Sequence, residues 1–98
     1  MAKLIWTSEA ERWLKKIFDF IAQEDPQAAK NVVNGIYEKA QILVDHPEIG
    51  YQYEHEGEKE IRILLYGHYR ITYFVSRDEA VILGVFHGAL EIEKYLAR

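Results

Sequence analysis

Residues 60–90 read EIRILLY (60–66), a turn at Gly67-His68, YRITYFVS (69–76), a second turn at Arg77-Asp78, and AVILGVFHGAL (80–90). Ile, Val, Leu, Tyr and Phe dominate all three runs, and these residues suit a pleated, half-buried surface. Turn-forming residues separate the runs at hairpin spacing, which predicts a meander of three antiparallel strands. Arg62, Arg70 and His87 sit inside it. The rest of the chain is expected to cover one face of this sheet.

The preceding half supplies two helices. Leu4, Ile5 and Trp6 give bulk to a short first strand over residues 2–7. Ser8 then offers an N-cap, with Glu11 completing a capping box. Ala10, Trp13, Leu14, Ile17, Phe18 and Ile21 follow helical spacing and form one apolar stripe. Asp25-Pro26 is a second helix start, an N-cap followed by proline at the first helical position. Ala29, Val32, Val33, Ile36, Ala40, Leu43 and Val44 continue from it, and Pro47 should stop the helix near His46. Gly35 lies mid-helix, where it costs about 1 kcal/mol against alanine; a close approach of the two helices would account for it. The short link makes the helices an antiparallel hairpin.

Residues 48–59 are acidic, contain two glycines, and read as a loop or an irregular edge strand. The segment LEIEKYLAR (90–98) has the composition of a short C-terminal helix. The expected fold is therefore α+β: an N-terminal strand and an antiparallel helical hairpin packed on a three- to four-stranded antiparallel sheet.

Composition narrows the function. Ninety-eight residues suit one domain spanning 1–98, and 49% hydrophobic with 29% charged residues is an ordinary globular balance. No signal peptide and no membrane span is evident, so the cytoplasm is the expected compartment. The absence of cysteine excludes disulfides, thiolate ligands and Cys nucleophiles. Residues 1–58 hold 6 Lys/Arg against 11 Asp/Glu, net −5, and residues 59–98 hold 6 against 5, net +1. Proteins that grip phosphates display a clearly basic face, and any such face here is confined to the sheet. His46, His55 and His68 show no ligand spacing with one another, Glu54-His55-Glu56 needs help from elsewhere, and no phosphate loop or dinucleotide fingerprint is present. Neither metal nor cofactor is expected.

The order of elements resembles the RelE/ParE superfamily, the toxins of type II toxin–antitoxin modules that include plasmid-stabilisation systems. The residues that carry the likeness are Trp6-Thr7 with Ala10, Asp25-Pro26-x-Ala28-Ala29, His46-Pro47-x-x-Gly50 and Arg62. Tyr69-Arg70-Ile71-x-Tyr73-x-Val75 and Val85-Phe86-His87-Gly88-Ala89 complete the set. The resemblance covers essentially the whole chain and implies one of two activities. RelE-like members are ribosome-dependent endoribonucleases that cleave messenger RNA with a basic cluster on the sheet plus a C-terminal tyrosine or histidine. ParE-like members lack that cluster and poison DNA gyrase. Both kinds are neutralised by an antitoxin whose extended segment wraps the toxin.

Against that pattern, Arg62, Tyr69, Arg70 and His87 are the expected functional residues of the sheet face. An RNase reading would use Arg70 to stabilise phosphate charge, with His87 or Tyr95 moving protons. The bland alternatives are a paired arginine, a histidine hydrogen-bonded at a strand end, and a tyrosine packed at helical spacing from Ile92. The places where RNA-cleaving relatives carry lysines fall at about Ile61 and Ile63, and an isoleucine can neither offset phosphate charge nor move a proton. Many relatives end the last motif His-Gly-Ala-Arg; here Leu90 stands last, which keeps an inactive, binding-only member in view. The preferred expectation is a ParE-like, non-catalytic gyrase inhibitor. Its partners would be a cognate antitoxin and DNA gyrase, with ribosome and messenger RNA as the alternative. Trp13, Phe20 and Tyr37 are expected antitoxin contacts. A toxin dimer and a toxin–antitoxin hetero-oligomer both stay open.

Overall fold

The computed structural model describes residues 1–56 and 59–87, and the side chains of 54–56 and 59 are not described. The helix expected over 90–98, Tyr95 and the Gly88–Ala89–Leu90 end of the last motif lie outside the described residues. Strand β1 (Lys3–Trp6) leads into helices α1 (Ser8–Ala22) and α2 (Pro26–Ala40), and a 3₁₀ turn (Gln41–Val44) follows. Strands β2 (Tyr51–Glu56), β3 (Lys59–Tyr66), β4 (Tyr69–Ser76) and β5 (Glu79–His87) complete the described chain. No described helix is long and apolar enough to cross a membrane.

The meander forms as the residues predict. Gly67 (φ +58°) and Arg77 (φ 55°) take the left-handed backbone that the two tight turns require. The α+β class holds, but the sheet has five strands and is mixed, in the order β1-β5-β4-β3-β2. β1 pairs parallel with β5, Lys3 opposite Glu79 through Trp6 opposite Ile82. That pairing joins the two ends of the described chain, and local periodicity carries no sign of it. The acidic stretch expected as loop or edge strand is the edge strand β2, whose alternation is broken by a bulge between Gln52 and Glu54. So the segment before residue 60 does more than cover the sheet; it also extends it.

Three local expectations are corrected. The first N-cap is Thr7, not Ser8. Its extended backbone (φ −70°, ψ 160°) lets Oγ1 accept from Ala10 N at 3.1 Å. The same hydroxyl donates to Ile82 O at 2.7 Å, which fastens the start of α1 to β5. The second cap is Asp25 as expected, accepting from Ala28 N at 3.0 Å with Pro26 at the helix start. α2 ends at Ala40 and tightens to 3₁₀ before reaching His46. Finally, Gly35 faces the sheet rather than α1: a Cβ there would run into the hydroxyl end of Tyr66 on β3. The glycine exists to let α2 sit on that tyrosine.

The main core lies between the helical hairpin and one face of the sheet. It unites Ala10, Leu14, Ile36, Ala40 and Leu43 with Leu64, Ile71, Tyr73, Ala80, Ile82 and Val85. A smaller cluster of Ile63 and Phe86, edged by Trp13 and Tyr53, belongs to the other face.

Candidate functional site

The strand registers decide which side chains can act together. Residues directly opposite one another share a face, and successive residues alternate. Arg62 lies opposite Tyr73, and Leu65 opposite Arg70. Tyr69 lies opposite His87, and Arg70 opposite Phe86. Arg62, Tyr69 and His87 therefore turn toward the helices, while Arg70 turns away from them. The four residues expected on one functional face are divided between two.

Arg62 is further removed from a shared site by its own hydrogen bonds. Nη1 donates to Glu48 O at 2.9 Å and Gly50 O at 2.6 Å, and Nη2 donates to Glu60 Oε1 at 2.8 Å. Gly50 N in turn donates to Tyr73 Oη at 2.9 Å. Burial, the dominant influence, holds the Tyr73 phenol above its ordinary pKa. This guanidinium is a clip that binds the turn before β2 to the sheet. Both terminal nitrogens are spent on the fold, while Nε is buried without a hydrogen-bond partner among the described residues.

Arg70 projects from the opposite face and donates to Tyr51 Oη at 2.8 Å. Its same-face neighbours across and along the strands are Leu65, Phe86 and Thr72. Ile61 and Ile63 share that face and are buried, at 5% and 1% exposure. The two positions compared with lysines thus belong to the apolar packing of the face from which the arginine projects, opposite Phe74 and Thr72.

A concave surface lies on the helix side. A groove of about 470 Å³ is lined by Trp13, Lys16, Ile17, Phe20 and Ile21 of α1 and by Tyr69, Val85 and His87 of the sheet. It arises because β1 pairs β5 only as far as Ile82, which leaves the end of β5 to α1. Trp13 packs edge-on to Phe86 with ring centroids 4.7 Å apart, and Lys16 Nζ lies 4.7 Å over the Trp13 ring. Phe20 is 75% exposed, an apolar ring held in water. Burial raises the Tyr69 phenol above its usual pKa. The His87 ring lies in a T-shaped contact with Tyr69, centroids 5.4 Å apart, and its centroid is 5.9 Å from that of His68.

Two sets of residues read separately in the sequence thus meet here: Trp13 and Phe20 from one, Tyr69 and His87 from the other. Tyr37 does not join them. Its ring packs tilted against Trp6, centroids 4.7 Å apart, and its hydroxyl donates to Glu11 Oε2 at 2.6 Å, a contact between the two helices. Burial, and then the Glu11 carboxylate, push its phenol up to about 12. Sequence reading missed Lys16 and His68 as members of the site; Ile17 and Ile21 were visible only as apolar stripe. Among the described residues no cluster of three or more His, Asp or Glu could hold a metal ion.

Comparison with known proteins bears on this arrangement. The family model for the ParE toxin of the type II toxin–antitoxin system parDE matches residues 4–91. Among solved structures, the chain is similar to one from the chromosomal ParDE toxin–antitoxin system of P. aeruginosa, with a TM-score of 0.75 and 24% identity. The match covers 91% of this chain and 98% of that one, and at this identity it establishes the fold. No curated protein matches the sequence.

Proposed function

The chain belongs to the ParE toxin family of type II toxin–antitoxin systems, and we propose that it arrests growth in the cytoplasm by binding DNA gyrase. It does so without a catalytic centre of its own, and a cognate antitoxin silences it by occupying the groove between α1 and the ends of β4 and β5.

The separation of Arg70 from His87 by the thickness of the sheet supports this reading most. Cleaving RNA needs charge stabilisation and proton transfer around one phosphodiester. Arg70 has apolar residues, a threonine and the Tyr51 hydroxyl beside it, and the histidine lies on the other face. The groove supports the antitoxin part. It is an apolar trough of 470 Å³ with Lys16 and His87 at its polar rim, suited to a segment that presents apolar side chains and an acid.

Induced expression in a bacterial host, followed by inspection of the damage, tests the proposal. Growth arrest with DNA breakage, and inhibition of supercoiling by the purified chain, are expected. Messenger RNA cleaved at ribosomes would replace gyrase with the ribosome as target. A folded, well-expressed chain without growth arrest would leave antitoxin binding alone.

A further inference from the structure

His68 and His87 are 19 positions apart in the sequence and meet at the mouth of the groove. His68 is the second residue of the β3–β4 turn, and His87 is the last residue of β5. Pairing of Tyr69 with His87 brings the preceding residue, His68, diagonally beside His87. Their ring centroids are 5.9 Å apart, their planes are inclined at 50°, and both side chains are exposed.

We propose that this pair binds a divalent transition-metal ion of the imidazole-preferring class, with Zn²⁺ as its representative. Zinc binds an imidazole nitrogen at about 2.0–2.1 Å, so two rings ligating at the tetrahedral angle lie with centroids about 5 Å apart. The observed separation is within about 1 Å of that before any ion is present. Tyr69 also packs against His87, with ring centroids 5.4 Å apart and planes inclined at 70°. Only one nitrogen of each ring is required, and a ligating histidine ordinarily engages the other in a hydrogen bond. Lys16, which also lines the groove, has its ammonium over Trp13. Hard cations such as Mg²⁺ and Ca²⁺ prefer oxygen ligands and are not expected to bind.

Two protein nitrogens leave coordination positions open to water, or to a carboxylate or imidazole from a protein seated in the groove. The ion would tie the β3–β4 turn to the end of β5 and stand at the entrance to the antitoxin's proposed seat. The metal site itself rests on geometry and holds whether or not the gyrase reading does.

The test is calorimetric titration of Zn²⁺ into the untagged full chain, with thermal unfolding measured in parallel. One ion per chain is expected, with a higher melting temperature when zinc is present. His68→Ala and His87→Ala should each weaken binding at least about tenfold, since even an outer partner of a metal ligand commonly costs that much. Both should also abolish the thermal shift, while His46→Ala should keep both effects. Circular dichroism of each variant shows that loss of binding is not loss of fold. Absence of saturable binding to the native chain, or native affinity in folded His68→Ala, would overturn the proposal.

Discussion

Arg70 and His87 stand one register step apart on neighbouring strands and project from opposite faces of the sheet. Groups that act on one phosphate show strongly non-additive effects when removed together. Groups that act separately add to within about 0.5 kcal/mol. In a supercoiling assay with purified gyrase, the effects of Arg70→Ala and His87→Ala should therefore add in the double variant. A coupling above about 1 kcal/mol would place both residues at one site.

The two arginines of the sheet should differ sharply in what they do for stability. Arg62 serves two backbone carbonyls and Glu60, with side-chain exposures of 15% for the arginine and 30% for the glutamate. Its replacement by alanine leaves these acceptors unpaired and should cost about 2–3 kcal/mol in urea unfolding. Arg70 has one exposed hydrogen bond, to Tyr51, and Arg70→Ala should cost less than about 1 kcal/mol. Equal losses would contradict the assignment of Arg62 as a clip.

Groove and hairpin make opposite predictions for two aromatic residues. Phe20→Glu changes a side chain that is 75% exposed and should move stability by no more than about 0.5 kcal/mol. Its affinity for the antitoxin should fall by about 2 kcal/mol or more, roughly thirtyfold, the scale of a central aromatic contact. Tyr37→Phe deletes the bond to Glu11 and should cost about 1 kcal/mol of stability with affinity unchanged. Calorimetric titration of the antitoxin against each variant separates the cases.

Tyr37 also gives the protein an alkaline limit. Its phenol is held neutral in the fold, with the pKa raised from 10.0 to about 12 by burial and the Glu11 carboxylate. A raised folded-state pKa means that this contribution is complete below pH 10 and is lost as pH climbs through 12. Phenolate absorbance should show late-ionising tyrosines, Tyr37 among them with Tyr69 and Tyr73, and Tyr37→Phe should remove one late step. An unchanged titration curve would show that Tyr37 is not among the phenols held neutral.

Thr72 should be improvable. It is fully buried on the face turned away from the helices, opposite Ile63 and Gly84. Its hydroxyl has no hydrogen-bond partner among the described residues. Thr72→Val removes an unsatisfied polar group while keeping the β-branched shape that a strand favours. A gain of about 1 kcal/mol is expected, and a loss in chemical denaturation would mean that the hydroxyl does find a partner.

Much of the architecture could be read before any coordinates. The meander over residues 60–87, the stripe Ala10-Leu14-Ile17 and the Asp25-Pro26 helix start are local patterns, set by neighbours within a turn or a hairpin. β1 beside β5 was not legible, because a parallel pairing across the described chain leaves no local mark. β2 was obscured by its bulge and its charges. Gly35 was visible as an anomaly, yet only the structure named Tyr66, rather than α1, as the group it accommodates.

By itself the sequence determined the α+β class, the helical hairpin, the ordered motifs shared with ParE toxins and the identity of the residues worth watching. These follow from side-chain periodicity and turn chemistry, which act over a few residues. Tertiary structure alone decided which of those residues share a face. Strand side chains alternate with a period of two, so a shift of one residue in register moves each from one face to the other. That parity put Arg62 under the helices as a clip and set Arg70 on the far face, beside Tyr51, Thr72 and apolar neighbours. The same parity set Trp13, Phe20, Tyr69 and His87 around one groove, with His68 at its mouth.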